Sequence, residues 1–222
     1  MNAELPIRQL AEGLHVLERP QSFLGLELGA RMSILQLEGG LLVHSPVGVD
    51  PALLRHLGTL RWALAPNLFH HLYLGSWMEA GAAGLAPPGL AKKRPELELA
   101  QLVDKPCEPF GPEVRLIPLK CFAMTQEIAL LHRPSRSLIL TDLLFNLSEE
   151  LPFTTRAAFA CLCAYPGCKT SLLERVGMDR GVAREEIAAL LELDFDRLIM
   201  SHGDVVETGG KEALEKAFSW LY

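Results

Sequence analysis

A chain of 222 residues, 49% apolar and 22% charged, carries enough hydrophobic material to bury a sizeable core, which excludes disorder for most of its length. Its net charge of −6, with no basic run longer than Lys92-Lys93-Arg94, argues against nucleic acid as a partner, because that recognition needs a cationic face to displace counterions. No apolar run nears the roughly 20 residues that span a bilayer, so no membrane partner is expected.

The opening Met1-Asn2-Ala3-Glu4-Leu5-Pro6 lacks the basic-then-apolar pattern of a secretory leader. Five cysteines, an odd number, fit a reducing cytoplasm better than a disulfide framework. Residues 14–18 and 32–37 then read as strands, and Gly39-Gly40 turns the chain into the apolar run 41–43. Asp50-Pro51 starts a helix, with Asp as N-cap, Pro at the first helical position, and Leu53, Leu54 and Leu57 on its buried face. Residues 61–65 form a short strand that Pro66 stops. Over residues 81–93 Gly, Ala and Pro dominate, which predicts a surface loop overhanging the strand ends, with Tyr73 and Trp77 lining a pocket beside it. Strands follow at 114–118, 127–131 and 137–141, the last two joined as a hairpin by a turn that leaves His132 facing solvent. Helices are expected at 154–164, 183–192 and 211–221, with a strand at 197–200. Strands and helices arranged twice on one plan predict two packed sheets with helices outside. The expected fold is α/β, in a single domain over residues 1–222.

Four of these apolar runs end in residues that ligate metal or move protons. Residues 41–43 run into His44-Ser45, and 62–65 into Pro66-Asn67 and then His70-His71. Residues 138–141 run into Asp142, and 198–201 into His202, Gly203 and Asp204. In layered α/β folds strand ends gather on one rim, where ligand sites are built. Imidazole with carboxylate suits zinc, iron or manganese. A lone His or Asp after a strand is more often a turn former or a cap, but four such endings point to a shared polar site. His15 and His56, on an early strand and an amphipathic helix, read as ordinary structural histidines. Cys161, Cys163 and Cys168 lack the paired spacing of a zinc site and read as buried thiols on a helix packing face. Cys121 follows the strand at 114–118 and falls near the same rim, whereas Cys107 sits in a loop among prolines.

The stretches Leu42-Val43-His44-Ser45-Pro46, Ala65-Pro66-Asn67-Leu68-Phe69-His70-His71 and Gly75-Ser76-Trp77 resemble a bacterial and plant family that is a divergent branch of the metallo-β-lactamase superfamily. Residues 127–132 through Ser137-Leu138-Ile139-Leu140-Thr141-Asp142 are similar to that superfamily's hairpin leading to its bridging aspartate. Ile199-Met200-Ser201-His202-Gly203-Asp204 resembles the closing strand whose histidine completes the metal site. The resemblance covers nearly the whole chain and implies a four-layer αβ/βα sandwich. It also implies a metal site drawn from His70, His71, Asp142 and His202, with His44, Asn67, Cys121, Glu127 and Asp204 as further site residues.

The departures are as informative as the matches. Typical members carry H-x-H-x-D-H after the second of these strands, whereas residues 66–71 supply Asn67, His70 and His71 without that Asp. Typical members also place a His before the hairpin; residues 120–127 offer only Cys121 and Glu127. The expectation is therefore zero or one divalent metal ion (zinc, iron or manganese), not two. Neighbours on a helical turn point ~100° apart, so one of His70 and His71 reaches the metal while the other binds substrate or packs. Two functions stay open: a metal-dependent hydrolase of unknown substrate, and a non-catalytic protein of this fold that binds a small molecule or a protein partner at the same rim. The oligomeric state is not legible.

Overall fold

The computed structural model describes residues 7–222; residues 1–6, read above for a leader pattern, lie outside the described residues. Strands β1 (Ile7–Ala11), β2 (Leu14–Arg19), β3 (Ser22–Phe23), β4 (Leu26–Glu27), β5 (Ala30–Leu37) and β6 (Gly40–His44) lead through one 3₁₀ turn to β7 (Leu60–Leu64). Helix α1 (Leu74–Glu79), β8 (Ala83–Ala86), α2 (Pro88–Lys93) and β9 (Gln101–Leu102) close the first half. The second half holds β10 (Val114–Pro118), β11 (Ile128–His132), β12 (Ser137–Ile139), β13 (Phe145–Leu147), α3 (Phe153–Cys161) and β14 (Gly167–Lys169). It ends with α4 (Leu172–Gly177), α5 (Arg180–Leu191), β15 (Arg197–Ile199) and α6 (Gly210–Ala217).

One sheet has the order β1-β2-β5-β6-β7-β8-β9, antiparallel as far as β6 and parallel from β6 onward. A second has the order β10-β11-β12-β15, with only β12 and β15 parallel, and β13–β14 and β3–β4 form two-stranded sheets of their own. Period-two alternation sends successive side chains to opposite faces. Leu42, Leu64 and Leu85 meet Leu130, Ile139 and Ile199 between the sheets. Leu41, Val43 and Ala63 face the other way, toward Leu74, Trp77 and Leu90. Leu131, Leu138 and Leu198 likewise turn toward Ile187, Leu190, Leu214 and Phe218 of the outer helices. Strands covered on both faces read as unbroken apolar runs, and the result is four layers, helix–sheet–sheet–helix.

Several expectations are corrected. Most of residues 81–93 is regular structure, not a loop: β8 and α2 occupy 83–86 and 88–93. A Cβ at Gly84 would lie 2.6 Å from Met78 Sδ, so β8 meets α1 closely at a residue without a side chain. Pro88 opens α2 where a missing N–H costs nothing. Trp77 lines no pocket: it is fully buried and donates through Nε1 to the carbonyl of Val47 (3.0 Å). Tyr73 is partly exposed and packs over Gly48, where a Cβ would sit 2.5 Å from its ring. His132 is buried, not solvent-facing, because the hairpin turn folds Ser135 back until its Oγ lies 2.6 Å from His132 Nδ1. Cys161 and Cys163 are exposed and Cys168 half-buried, because α3 buries the face of Thr155 and Phe159 instead. The helix at Asp50 is a single 3₁₀ turn, Pro51–Leu54, capped by the Asp50 carboxylate accepting from the Ala52 N–H at 2.8 Å. Among the described residues no helix is long and apolar enough to cross a membrane.

Candidate metal centre

Topology builds the rim. The parallel pairs β6–β7 and β12–β15 lie in different sheets, and their C-terminal ends deliver His44-Ser45, Asn67 with His70, Asp142, and His202. Asn67 is fully buried, and its Oδ1 accepts from the N–H groups of Phe69 and His70, both at 2.8 Å. This side-chain turn swings the imidazole of His70 back across the strand end. The same amide donates through Nδ2 to Asp142 Oδ2 at 2.7 Å, across the sandwich.

The three side chains then close on one another. His70 Nε2 is 3.1 Å from Asp142 Oδ1, and His202 Nε2 is 3.3 Å from that oxygen and 3.3 Å from His70 Nε2. Among the described residues no other group of three or more His, Cys, Asp and Glu converges this closely. Zinc bonds of about 2.0–2.2 Å at tetrahedral angles separate neighbouring ligand atoms by roughly 3.3–3.6 Å. The triangle fits such an ion with only tenths of an ångström of spreading.

The far nitrogens are also fixed. His202 Nδ1 lies 2.7 Å from the carbonyl of Gly29, an acceptor only, so Nδ1 carries a proton and Nε2 is turned to the cluster. His70 Nδ1 lies 2.8 Å from Ser45 Oγ. Outer partners of this kind orient imidazole ligands. The Phe145 ring stacks on His202, with centroids 5.9 Å apart. Arg31, buried on β5, holds the segment carrying His202: its N–H donates to Ser201 O at 2.9 Å and its guanidinium to the carbonyls of Met200 and Gly203. Glu18 holds that guanidinium at 2.8–2.9 Å.

Asp142 is anchored by its backbone. The N–H groups of Thr141, Asp142 and Leu143 donate to the buried Glu127 carboxylate at 2.7, 2.9 and 3.0 Å. Burial, then the Asp142 charge, push the Glu127 carboxyl up to about 7. Burial would also raise Asp142, but His70 and His202 outweigh it and hold the carboxyl well below the usual range. For His70, burial opposes the charged ring, while the Asp142 and Glu127 carboxylates prevail and raise its pKa.

The remaining candidates lie outside the triad. His71 turns away and is buried, with Nδ1 accepting from Arg94 at 3.0 Å; burial, Lys93 and Arg94 lower its pKa. His44 is buried with neither ring nitrogen bonded to the protein, and burial, then His70, lower it to about 3, so it stays neutral. Cys121 is packed in the core under α5, its thiol pushed up by burial and by Glu186. Asp204 is exposed and bonds to Asn146 only through its backbone, at 2.7 and 2.9 Å. Asn67 and Glu127 hold Asp142 without joining the ligand group. Sequence reasoning missed Gly29 and Arg31, and placed Ser45 at a strand end without giving it a role. Gly29 and Arg31 carried no signal in the sequence.

The triad side chains are 10–15% exposed. A groove of about 380 Å³ lined by Gln21, Ser22, Glu27, Glu150 and Pro152 passes Gly29, which binds His202.

No protein-family model matches the chain, and no curated protein sequence does. Solved structures do. The metallo-β-lactamase DIM-1, exposed to ceftazidime, superposes with a TM-score of 0.72 over 99% of both chains at 10% identity. A metallo-β-lactamase from Erythrobacter litoralis gives 0.71 over 100% of this chain and 97% of its own, at 13% identity. FIM-1 from Pseudomonas aeruginosa, in a mono-zinc form, gives 0.65 over 99% and 95%, at 10% identity. Such identities speak to architecture, and with the four layers and strand order above they lead to one statement: the chain has the metallo-β-lactamase fold.

Proposed function

We propose that the chain is a metal-dependent hydrolase working with one divalent ion held by His70, Asp142 and His202. The observation that carries this reading is the triangle of ligand atoms with edges of 3.1, 3.3 and 3.3 Å. Three protein ligands leave a fourth position for water or substrate, the pattern of catalytic rather than structural zinc. A divalent ion so placed supplies Lewis acidity and brings the pKa of water down toward ~7. The chain's own residues do the rest. Gly29 keeps the His202 proton on Nδ1, and Asn67 and Glu127 keep Asp142 aimed inward. No second ligand group lies among the described residues, which favours one ion over two.

A second reading is a non-catalytic protein that binds a ligand at this rim. It is favoured by one observation: both Asp142 oxygens already have protein partners, so the cluster is satisfied by protons alone.

Metal analysis of protein purified without chelator tests the proposal. One equivalent is expected, falling steeply in His202→Ala, together with a loss on the order of 10² or more in hydrolysis of whichever ester, amide or phosphodiester the parent turns over. No metal, or two equivalents, overturns the one-ion reading. One equivalent with no turnover of any substrate class supports the binding protein instead.

A further inference from the structure

Ser45 is buried where β6 ends, and its backbone has φ +58°, in the left-handed region that a residue with a Cβ enters only at a cost. It also precedes Pro46, and a residue before proline favours extended backbone. Its N–H donates to the Leu64 carbonyl on β7 at 3.0 Å, which pins the residue to the sheet while the chain turns sharply. The consequence of that turn is that Ser45 Oγ lies 2.8 Å from His70 Nδ1. Among the described residues this is the only side-chain hydrogen bond Ser45 makes, and Ser45 is the only partner of Nδ1. Glycine would suit this backbone without strain, so the serine is explained by its hydroxyl.

We propose that Ser45 is a positioning residue, which locks the His70 ring so that Nε2 faces Asp142 and His202; this rests on the one-ion reading above. A flipped imidazole would put Cε1 where Nε2 now stands, 3.1 Å from Asp142 Oδ1, and the triangle would lose a corner. A hydroxyl is suited to the task because it both donates and accepts. It gives its proton to a bare Nδ1 when Nε2 is protonated against Asp142. It accepts from Nδ1–H when Nε2 gives its lone pair to an ion. No heavy atom has to move between the two states. The buried His44 beside it, with no bonded ring nitrogen, does not take over this role.

The test uses the full chain with Ser45→Gly and Ser45→Ala, measuring zinc affinity by chelator competition and melting of the zinc-free protein. Both variants are expected to bind zinc 10- to 100-fold more weakly, the usual effect of losing a ligand's outer partner. Ser45→Gly relieves backbone strain but leaves Nδ1 without its partner, effects of similar size, so it is expected to melt near the parent temperature, which separates positioning from damage to the fold. Parent-like zinc affinity in Ser45→Gly overturns the proposal, and that variant carries the test if Ser45→Ala fails to fold. If the parent takes up no zinc, the one-ion reading fails, and ring-nitrogen NMR of the zinc-free protein decides on Ser45. A shifted His70 Nδ1 resonance in Ser45→Gly supports the lock; identical ring shifts overturn it.

Discussion

Gly203 follows the proposed ligand His202, and replacing it with alanine should cost far more than one methyl group suggests. Its φ is +81°, and a Cβ there would lie 2.0 Å from the carbonyl oxygen of Asn146 and 2.5 Å from its carbon, where real contacts stay beyond about 3.0 Å. The obstacle is backbone, so relief requires β13 to retreat by about 1 Å. Asn146 sits in that strand, is bonded to Asp204, and follows Phe145, whose ring covers His202. Left-handed strain contributes roughly 1–2 kcal/mol and overpacking roughly 1–3 kcal/mol, so the loss should total about 2–5 kcal/mol. In a chain of this length that lowers the melting temperature by roughly 10 °C. The control is Gly111→Ala, at φ +89° with nothing within 4 Å of the added Cβ, which should pay only the backbone term. Urea unfolding of both variants gives the comparison. Equal losses, or Gly203→Ala within 0.5 kcal/mol of the parent, would refute the close approach of β13 to the His202 segment.

Three further outcomes are expected. Burial holds His132 down at about 4, while in the unfolded chain it titrates near 6.5. Between those values the unfolded chain binds more protons, so stability rises with pH and acidification from pH 7.5 to 5 removes about 2 kcal/mol through this residue. His132→Gln should lose that much less over the same range, and parallel losses in parent and variant would refute the assignment. Arg31→Met leaves the Met200 and Gly203 carbonyls unmet; a loss of about 3 kcal/mol in urea is expected, and an unchanged midpoint would show that the clamp is dispensable. Iodoacetamide at pH 8 should modify exposed Cys161 and Cys163 in the native protein but reach Cys121 only after denaturation. Rapid native labelling of Cys121 would place it outside the core.

What the sequence revealed, and what it hid, divides along the range of the interactions. Apolar runs covered on both faces announce strands by themselves, which is why β6, β7, β12 and β15 and the polar residues at their ends were legible. The tandem His70-His71 was legible as a pair with diverging directions, but not which member turns inward. That is decided by Asn67, whose oxygen caps the turn at His70 N–H, and by Arg94, which draws off His71. Helix α4 went unread, although its start is fixed locally by a capping box between Ser171 and Glu174. By contrast β8 and α2 were hidden because Ala, Gly and Pro serve there as packing residues, and composition alone reads them as a loop. Arg31 and Gly29 had no signal. They act on residues 169–173 positions away, through bonds that exist only once the two sheets have met.

That last point bears on how site and fold depend on each other. The interface between the sheets is apolar, built from leucines, isoleucines and valines, and burial of this kind is non-directional. It favours contact between the sheets without fixing how far one slides along the other. Directional bonds that do fix it gather at the rim: Ile128 N–H to Pro66 O at 2.7 Å, Leu68 N–H to Thr125 O at 2.9 Å, Asn67 to Asp142, Arg31 to the 200–203 segment, and His202 to Gly29. His70 comes from one sheet and Asp142 and His202 from the other, so the same register that satisfies these bonds sets the edges of the triangle. A slip of an ångström between sheets would leave the core nearly as well buried, yet it would open the cluster. The rim is therefore where this fold is specified most sharply, and an ion bound across it would fasten the sheets in the register that creates its site.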